Sequence, residues 1–117
     1  MKVSQKDKVI ISSEKIKDYL LSSIHPIGRF KAVFFYNLGY SVDNWGILAR
    51  DIKSILKYDV KKTVKTEYGV KYEIHGLITG PNNKSSTIIT VWIIINNEQE
   101  LRFVTAYPGD KKWDLIF

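Results

Sequence analysis

Apolar residues recur along the chain with two different periods, and the change of period divides it. In Glu14 to Ser22, Ile16, Tyr19 and Leu20 return at helical spacing while Lys15, Lys17 and Asp18 fall elsewhere, which predicts a short amphipathic helix capped by Ser12 or Ser13. A second helix is expected from Pro26 or Gly28 to about Leu38. Proline suits a first helical turn and disfavours helical dihedrals at His25, and Gly39 supplies a left-handed residue past the end. On its wheel Phe30, Val33, Phe34 and Leu38 cluster, and Ala32, Phe35 and Tyr36 cover the opposite side. A helix apolar on both sides is expected to be packed on both sides, which makes this the central one. Ser41 caps a third helix, Val42 to about Lys57, with Trp45, Leu48, Ile52, Ile55 and Leu56 as its buried stripe and Asp43 at its positive end.

After Tyr58 the period becomes two. Val60 and Val64 alternate with Lys61, Thr63 and Lys65, then Val70, Tyr72 and Ile74 alternate with Lys71, Glu73 and His75, a predicted β-hairpin. Gly80-Pro81-Asn82-Asn83-Lys84 turns the chain into Thr87 to Ile95, the most apolar and β-branched stretch and the expected central strand. Asn96-Asn97-Glu98-Gln99 leads to a last strand, Glu100 to Tyr107, stopped by Pro108-Gly109. Near the start, Val9-Ile10-Ile11 is either a lead-in strand or a loop against the first helix, and the half-apolar tail, Asp110 to Phe117, is expected to dock on the domain or on a partner. Helices precede strands with no repeat or linker. The expected fold is therefore a single α+β domain over residues 1–117, with three N-terminal helices (12–57) on one face of a four-stranded antiparallel sheet (58–108) and a tail (109–117).

Strand parity predicts where chemistry lies. If Val70, Tyr72 and Ile74 face the helices, Lys71, Glu73 and His75 face away. Taking Ile89, Val91, Ile93 and Ile95 as the core set of the central strand leaves Thr90, Trp92 and Ile94 on that open face. In the last strand, Leu101, Phe103, Thr105 and Tyr107 share one side and Arg102, Val104 and Ala106 the other, and either set can face inward. An open face bearing Lys, His, Thr and Trp suits RNA, because aromatic rings stack on bases and cations neutralise phosphate. The alternative is an ordinary solvated face with Trp92 covered by the tail.

Composition adds charge to this picture. The 18 Lys and Arg against 12 Asp and Glu leave a formal charge of +6, which favours an anionic partner unless the lysines serve solubility alone. Without cysteine, disulfides, Cys-based zinc sites and a cysteine nucleophile are excluded. The lysine-rich start lacks the apolar stretch of a secretory signal, and no apolar run approaches the roughly 20 residues of a membrane span. A soluble, cytoplasmic protein with no membrane partner is expected. Its two histidines lie far apart and no carboxylates have ligand spacing, so no metal and no cofactor is expected. Gly76 to Gly80 lies between strands and lacks the following Lys-Ser/Thr and helix of a phosphate loop.

The stretch His25-Pro26-Ile27-Gly28-Arg29-Phe30-Lys31-Ala32-Val33-Phe34-Phe35 joins a histidine and two cations to a helix start. Helix-start amides can receive an anion, Arg29 can clamp a phosphate, and a histidine can move a proton near neutral pH. A histidine there can equally serve only the local backbone. Arg29 and Lys31, two residues apart, diverge by about 200 degrees on a regular helix. They do not share a cleft unless the helix begins after Arg29, and Lys31 can instead border the core with its stem buried.

This stretch, together with Leu38-Gly39-Tyr40, Trp45, Tyr68-Gly69-Val70-Lys71-Tyr72, Gly80-Pro81-Asn82, Thr90-Val91-Trp92 and Thr105-Ala106-Tyr107-Pro108, resembles a bacterial domain-of-unknown-function family from about Ser12 to Pro108. Its members are small stand-alone proteins and C-terminal modules of larger toxins. That family is in turn similar to the barnase, EndoU, colicin and RelE superfamily of metal-independent ribonucleases. The resemblance implies a toxin that cleaves RNA by 2′-hydroxyl attack, leaving a 2′,3′-cyclic phosphate, with a small antitoxin or immunity protein as partner. It implies catalytic roles for His25, Arg29, Lys31, Thr90 and Tyr107, and RNA contacts for Lys71, Trp92 and Thr105. His75 joins the RNA-binding set through parity alone. The rival reading is a non-catalytic protein-interaction or RNA-binding module, and the oligomeric state is left open.

Overall fold

A computed structural model describes residues 8–26 and 28–109. Helix α1 starts at Ser13–Lys15, where the Ser12 hydroxyl accepts the Glu14 amide, and continues as a π-helical turn over Ile16–Leu20. Helix α2 spans Gly28–Asn37 and is closed by Gly39 at a φ of +96°, with the Gly39 amide bonded to Tyr36 and the Tyr40 amide to Phe35. Helix α3 spans Trp45–Ser54 between two 3₁₀ turns, Val42–Asn44 and Ile55–Lys57. Asn44 secures its start by accepting the Ser41 amide and donating to the Gly39 carbonyl.

Five strands follow the order β1-β5-β4-β3-β2: β1 Val9–Ile10, β2 Val60–Lys65, β3 Gly69–Thr79, β4 Ser85–Ile95 and β5 Leu101–Pro108. Strand β1 runs parallel to β5, pairing Val9 with Leu101, and all other neighbours are antiparallel. The sheet is thus mixed and five-stranded, where four antiparallel strands were expected. A two-residue strand is too short to reveal a period, so the sequence left Val9-Ile10-Ile11 open between a lead-in strand and a loop, and the structure makes Val9–Ile10 an edge strand.

Register decides the faces. Residues opposite each other across neighbouring strands share a face. Tyr72 pairs with Trp92 and Ile74 with Thr90, so placing Tyr72 and Ile74 under the helices places Trp92 and Thr90 there too. The core joins Ile16, Leu20, Phe35, Leu48, Ile52 and Ile55 to Ile74, Ile78, Ile88, Trp92, Leu101, Phe103 and Ala106. Ile89 and Val91 instead build a second buried cluster with Tyr107 and Val104 on the other side of the sheet. This overturns the expectation that Thr90 and Trp92 lie on an open face and that Ile89 and Val91 point at the helices. Strand β4 is apolar on both faces, so its own alternation cannot choose between them.

The ambiguity in β5 has a physical origin. Val91 pairs with Thr105 but Trp92 pairs with Phe103, so Val104 is an extra residue in a bulge. The bulge reverses parity partway along the strand. Leu101 and Phe103 face the helices, and beyond Val104 so does Ala106, while Thr105 and Tyr107 face away.

Helix α2 is also not sandwiched. Lys31, Ala32 and Phe35 are buried against α1 and β5, but Phe30 and Val33 are 57% and 60% exposed. The apolar tail from Asp110, with its expected docking, lies outside the described residues.

Candidate functional site

The site grows from a close approach between α1 and α2. A side chain at Gly28 would place its Cβ 1.9 Å from the Tyr19 carbonyl oxygen, so only glycine lets the first turn of α2 lie on the π-helical turn. One turn later this contact delivers Lys31 to Tyr19. The Lys31 ammonium donates to the Tyr19 hydroxyl at 2.8 Å and to Thr105 Oγ1 at 2.7 Å. It also sits 4.9 Å from the centre of the Tyr19 ring and 5.6 Å from that of Tyr107. Lys31 is fully buried. Burial, opposed by the Tyr19 hydroxyl and reinforced weakly by Lys15, holds its pKa below the ordinary lysine value of 10.5.

His25 meets the same tyrosine from outside, its ring standing edge-on to Tyr19 at 4.9 Å. Its Nδ1 accepts the Gly28 amide at 3.0 Å, and its carbonyl accepts the Arg29 amide. A neutral ring in this arrangement carries its proton on Nε2. His25, Tyr19, Ser12, Glu14, Lys15 and Asp18 line an open groove of about 550 Å³. The Lys15 ammonium reaches across to the carbonyl of the bulged Val104 at 3.1 Å. Arg29 is exposed, with its guanidinium 4.8 Å from the Phe30 ring, while Lys31 is buried, as the angle between them on the helix requires.

The sheet face away from the helices carries the rest. One row across it reads Lys62, Glu73, Val91 and Thr105; the next His75, Ile89 and Tyr107; and another Val64, Lys71, Ile93 and Arg102. The structure therefore brings Lys71, His75, Thr105 and Tyr107 onto one face, adds Lys31 at its β5 side, and links His25 through Tyr19. Thr90 and Trp92 are not part of this grouping. The Thr90 hydroxyl donates to the Ile74 carbonyl and accepts the Trp92 indole N–H at 2.8 Å, both inside the helix-facing core.

Two residues of the grouping were not singled out from sequence. Tyr19 reads as one member of an apolar helical stripe, yet its hydroxyl and ring hold both Lys31 and His25. Glu73 was placed on the correct face by parity, but its contact with His75, 2.7 Å between Oε2 and Nε2, shows only in the structure. Among the described residues, no three His, Asp or Glu side chains gather as metal ligands, and no helix is long and apolar enough to cross a membrane.

Fold and site together define an α+β module whose buried lysine is held by hydroxyls at the margin of a sheet face. The sequence profile of a domain of unknown function, DUF6883, matches residues 2–110, and the chain belongs to that family. No curated protein matches it in sequence. Among solved structures, the fold is similar to that of a chain in a contact-dependent growth inhibition toxin–immunity protein complex from Klebsiella pneumoniae 342. The two share 16% identity with a TM-score of 0.69, over 86% of this chain and 99% of the other.

Proposed function

We propose that this protein is a toxin module that cleaves RNA without a metal, through attack of the ribose 2′-hydroxyl, and that a small immunity or antitoxin protein restrains it. The observation that carries this reading is Lys31. A fully buried ammonium is costly unless its environment compensates it. Among the described residues its hydrogen bonds go to two hydroxyls, those of Tyr19 and Thr105, and to no carboxylate. A fixed positive centre in a low-dielectric setting is suited to stabilising charge that builds up on a phosphate. Fold similarity to a chain of a toxin–immunity complex supports the toxin setting, and the net charge of +6 supports an anionic substrate.

In this reading Lys31 supplies the potential, Thr105 and Tyr107 offer hydroxyls, and Arg29 reaches phosphate from the exposed side of α2. Lys71 and His75 guide the RNA across the sheet face. Proton transfer falls to a histidine, with His25 at the groove as one candidate. Thr90 and Trp92 act from behind, by fixing β4 against the helices. The direct test is to incubate the purified protein with RNA in EDTA and to examine the ends. Products ending in 2′,3′-cyclic phosphate are expected, and intact RNA across varied substrates contradicts the reading.

One observation favours a second reading, a non-catalytic protein-interaction module. Ile24, Phe30, Val33 and Tyr36 leave apolar surface in solvent, with exposures of 86, 57, 60 and 38%. Under that reading His25→Ala and Arg29→Ala retain biological activity, whereas Phe30→Ser with Val33→Ser abolishes it.

A further inference from the structure

We infer that Glu73 and His75 form the proton-accepting pair for the RNA cleavage proposed above, with His75 as the catalytic base and Glu73 as its positioning residue. The inference rests on that reading and identifies the group that takes the 2′-hydroxyl proton. The two side chains are two residues apart on β3 and so project from the same face of the sheet, with His75 Nε2 2.7 Å from Glu73 Oε2. Their side chains are 32% and 17% exposed, so a substrate can reach the imidazole while the carboxylate stays largely shielded. Ile89 and Val91, both buried, stand directly opposite them on β4 and form an apolar wall.

The geometry fixes the chemistry of the ring. Donation of the Nε2 proton to Glu73 sets the tautomer and leaves the lone pair on Nδ1. Among the described residues, Glu73 is the polar partner of this ring, and Nδ1 makes no hydrogen bond. His25 differs, because its Nδ1 already accepts the Gly28 amide. The charged and titratable groups sharing the face are Lys62 from β2, Lys71 from β3, and Arg102 and Tyr107 from β5, while β4 contributes apolar side chains opposite the pair. Two strand spacings, about 10 Å, separate the pair from Thr105 and Tyr107, which places the Lys31 cluster within one nucleotide chain's reach.

The step is a transesterification. Nδ1 of His75 takes the proton of the 2′-hydroxyl as the 2′-oxygen bonds to phosphorus, the bond from phosphorus to the 5′-oxygen breaks, and that oxygen takes a proton from water. Glu73 stabilises the imidazolium so formed, and Lys71, four residues along the same face of β3, holds the RNA chain beside the pair.

The experiment compares cleavage of a short RNA by the full chain and by His75→Asn, His75→Gln, Glu73→Gln and Lys71→Ala, each checked for an unchanged circular dichroism spectrum. Both His75 variants are expected to lose about 100-fold or more in kcat. Glu73→Gln should lose about tenfold in kcat with KM within about twofold, and Lys71→Ala should mainly raise KM. Wild-type cleavage that survives both His75 substitutions at an undiminished kcat overturns the pair while leaving the ribonuclease reading intact. Failure of the wild type to cleave any RNA removes the ribonuclease reading itself, and the pair with it.

Discussion

The Nζ of Lys31 donates to Oγ1 of Thr105 at 2.7 Å, so a cation from α2 is seated against the strand segment just past the β5 bulge, 74 positions away. Were β5 to alternate regularly through Val104, Thr105 would share the helix-facing side with Phe103, and this bond could not form in the same way. Burial makes the bond consequential for stability. The folded chain releases the Lys31 proton at a lower pH than the unfolded chain does. Between those two values the unfolded state binds more protons, so folding stability rises with pH up to the ordinary lysine value of 10.5. Urea unfolding of the wild type and of Lys31→Met should therefore diverge as pH increases from about 7 to about 10, the wild type gaining relative to the variant. Parallel curves would show that the ammonium is not penalised by its surroundings.

Thr90 links two partners in the helix-facing core. Thr90→Val leaves the Trp92 indole N–H and the Ile74 carbonyl each short of a hydrogen bond, at a cost of about 1–3 kcal/mol. Urea denaturation measures this loss. Among folded molecules, RNA affinity should stay unchanged, since neither Thr90 nor Trp92 reaches the opposite face; a selective loss of affinity would return them to the site.

Gly28 fixes the distance between α1 and α2. Gly28→Ala sets a methyl group against the Tyr19 carbonyl and forces the helices apart, at about 3 kcal/mol. The same displacement draws Lys31 away from Tyr19. A thermal-unfolding midpoint close to that of the wild type would show that the contact is relaxed in solution.

The helical part of the fold was legible because capping residues and turns mark it locally: Ser12 before α1, Gly39 after α2, and the change of period after Tyr58. The hairpin of β2 and β3 was legible for the same reason, since polar lysines alternate with apolar residues there. Strand β4 offered no such contrast. With Ile88, Ile89, Val91 and Trp92 all buried, its facing depends on register with β3, a long-range property. The bulge at Val104 and the parallel edge strand Val9–Ile10 are likewise products of pairing. At the site, the divergence of Arg29 and Lys31 followed from helix geometry alone. The roles of Tyr19 and Glu73 did not, because each depends on which neighbour the fold brings to an otherwise ordinary position.

Exposed Phe30 and Val33 separate stability from association. Replacing both by serine should change the unfolding free energy by no more than about 0.5 kcal/mol per site, because neither side chain is buried in the isolated chain. Isothermal denaturation checks this, and a large loss would mean that the stripe is packed in solution.

The most direct measurement concerns the lysine on which the proposed function rests. Wild-type protein and Lys31→Met, both shown to be folded, are incubated with RNA in excess EDTA and the 3′ ends of the products are characterised. The wild type should produce 2′,3′-cyclic phosphate ends, and Lys31→Met should cleave about 100-fold more slowly, in line with loss of one preorganised group that stabilises developing charge. Intact RNA with the wild type, or equal cleavage by the folded variant, would contradict the assignment of Lys31 to an RNA-cleaving site.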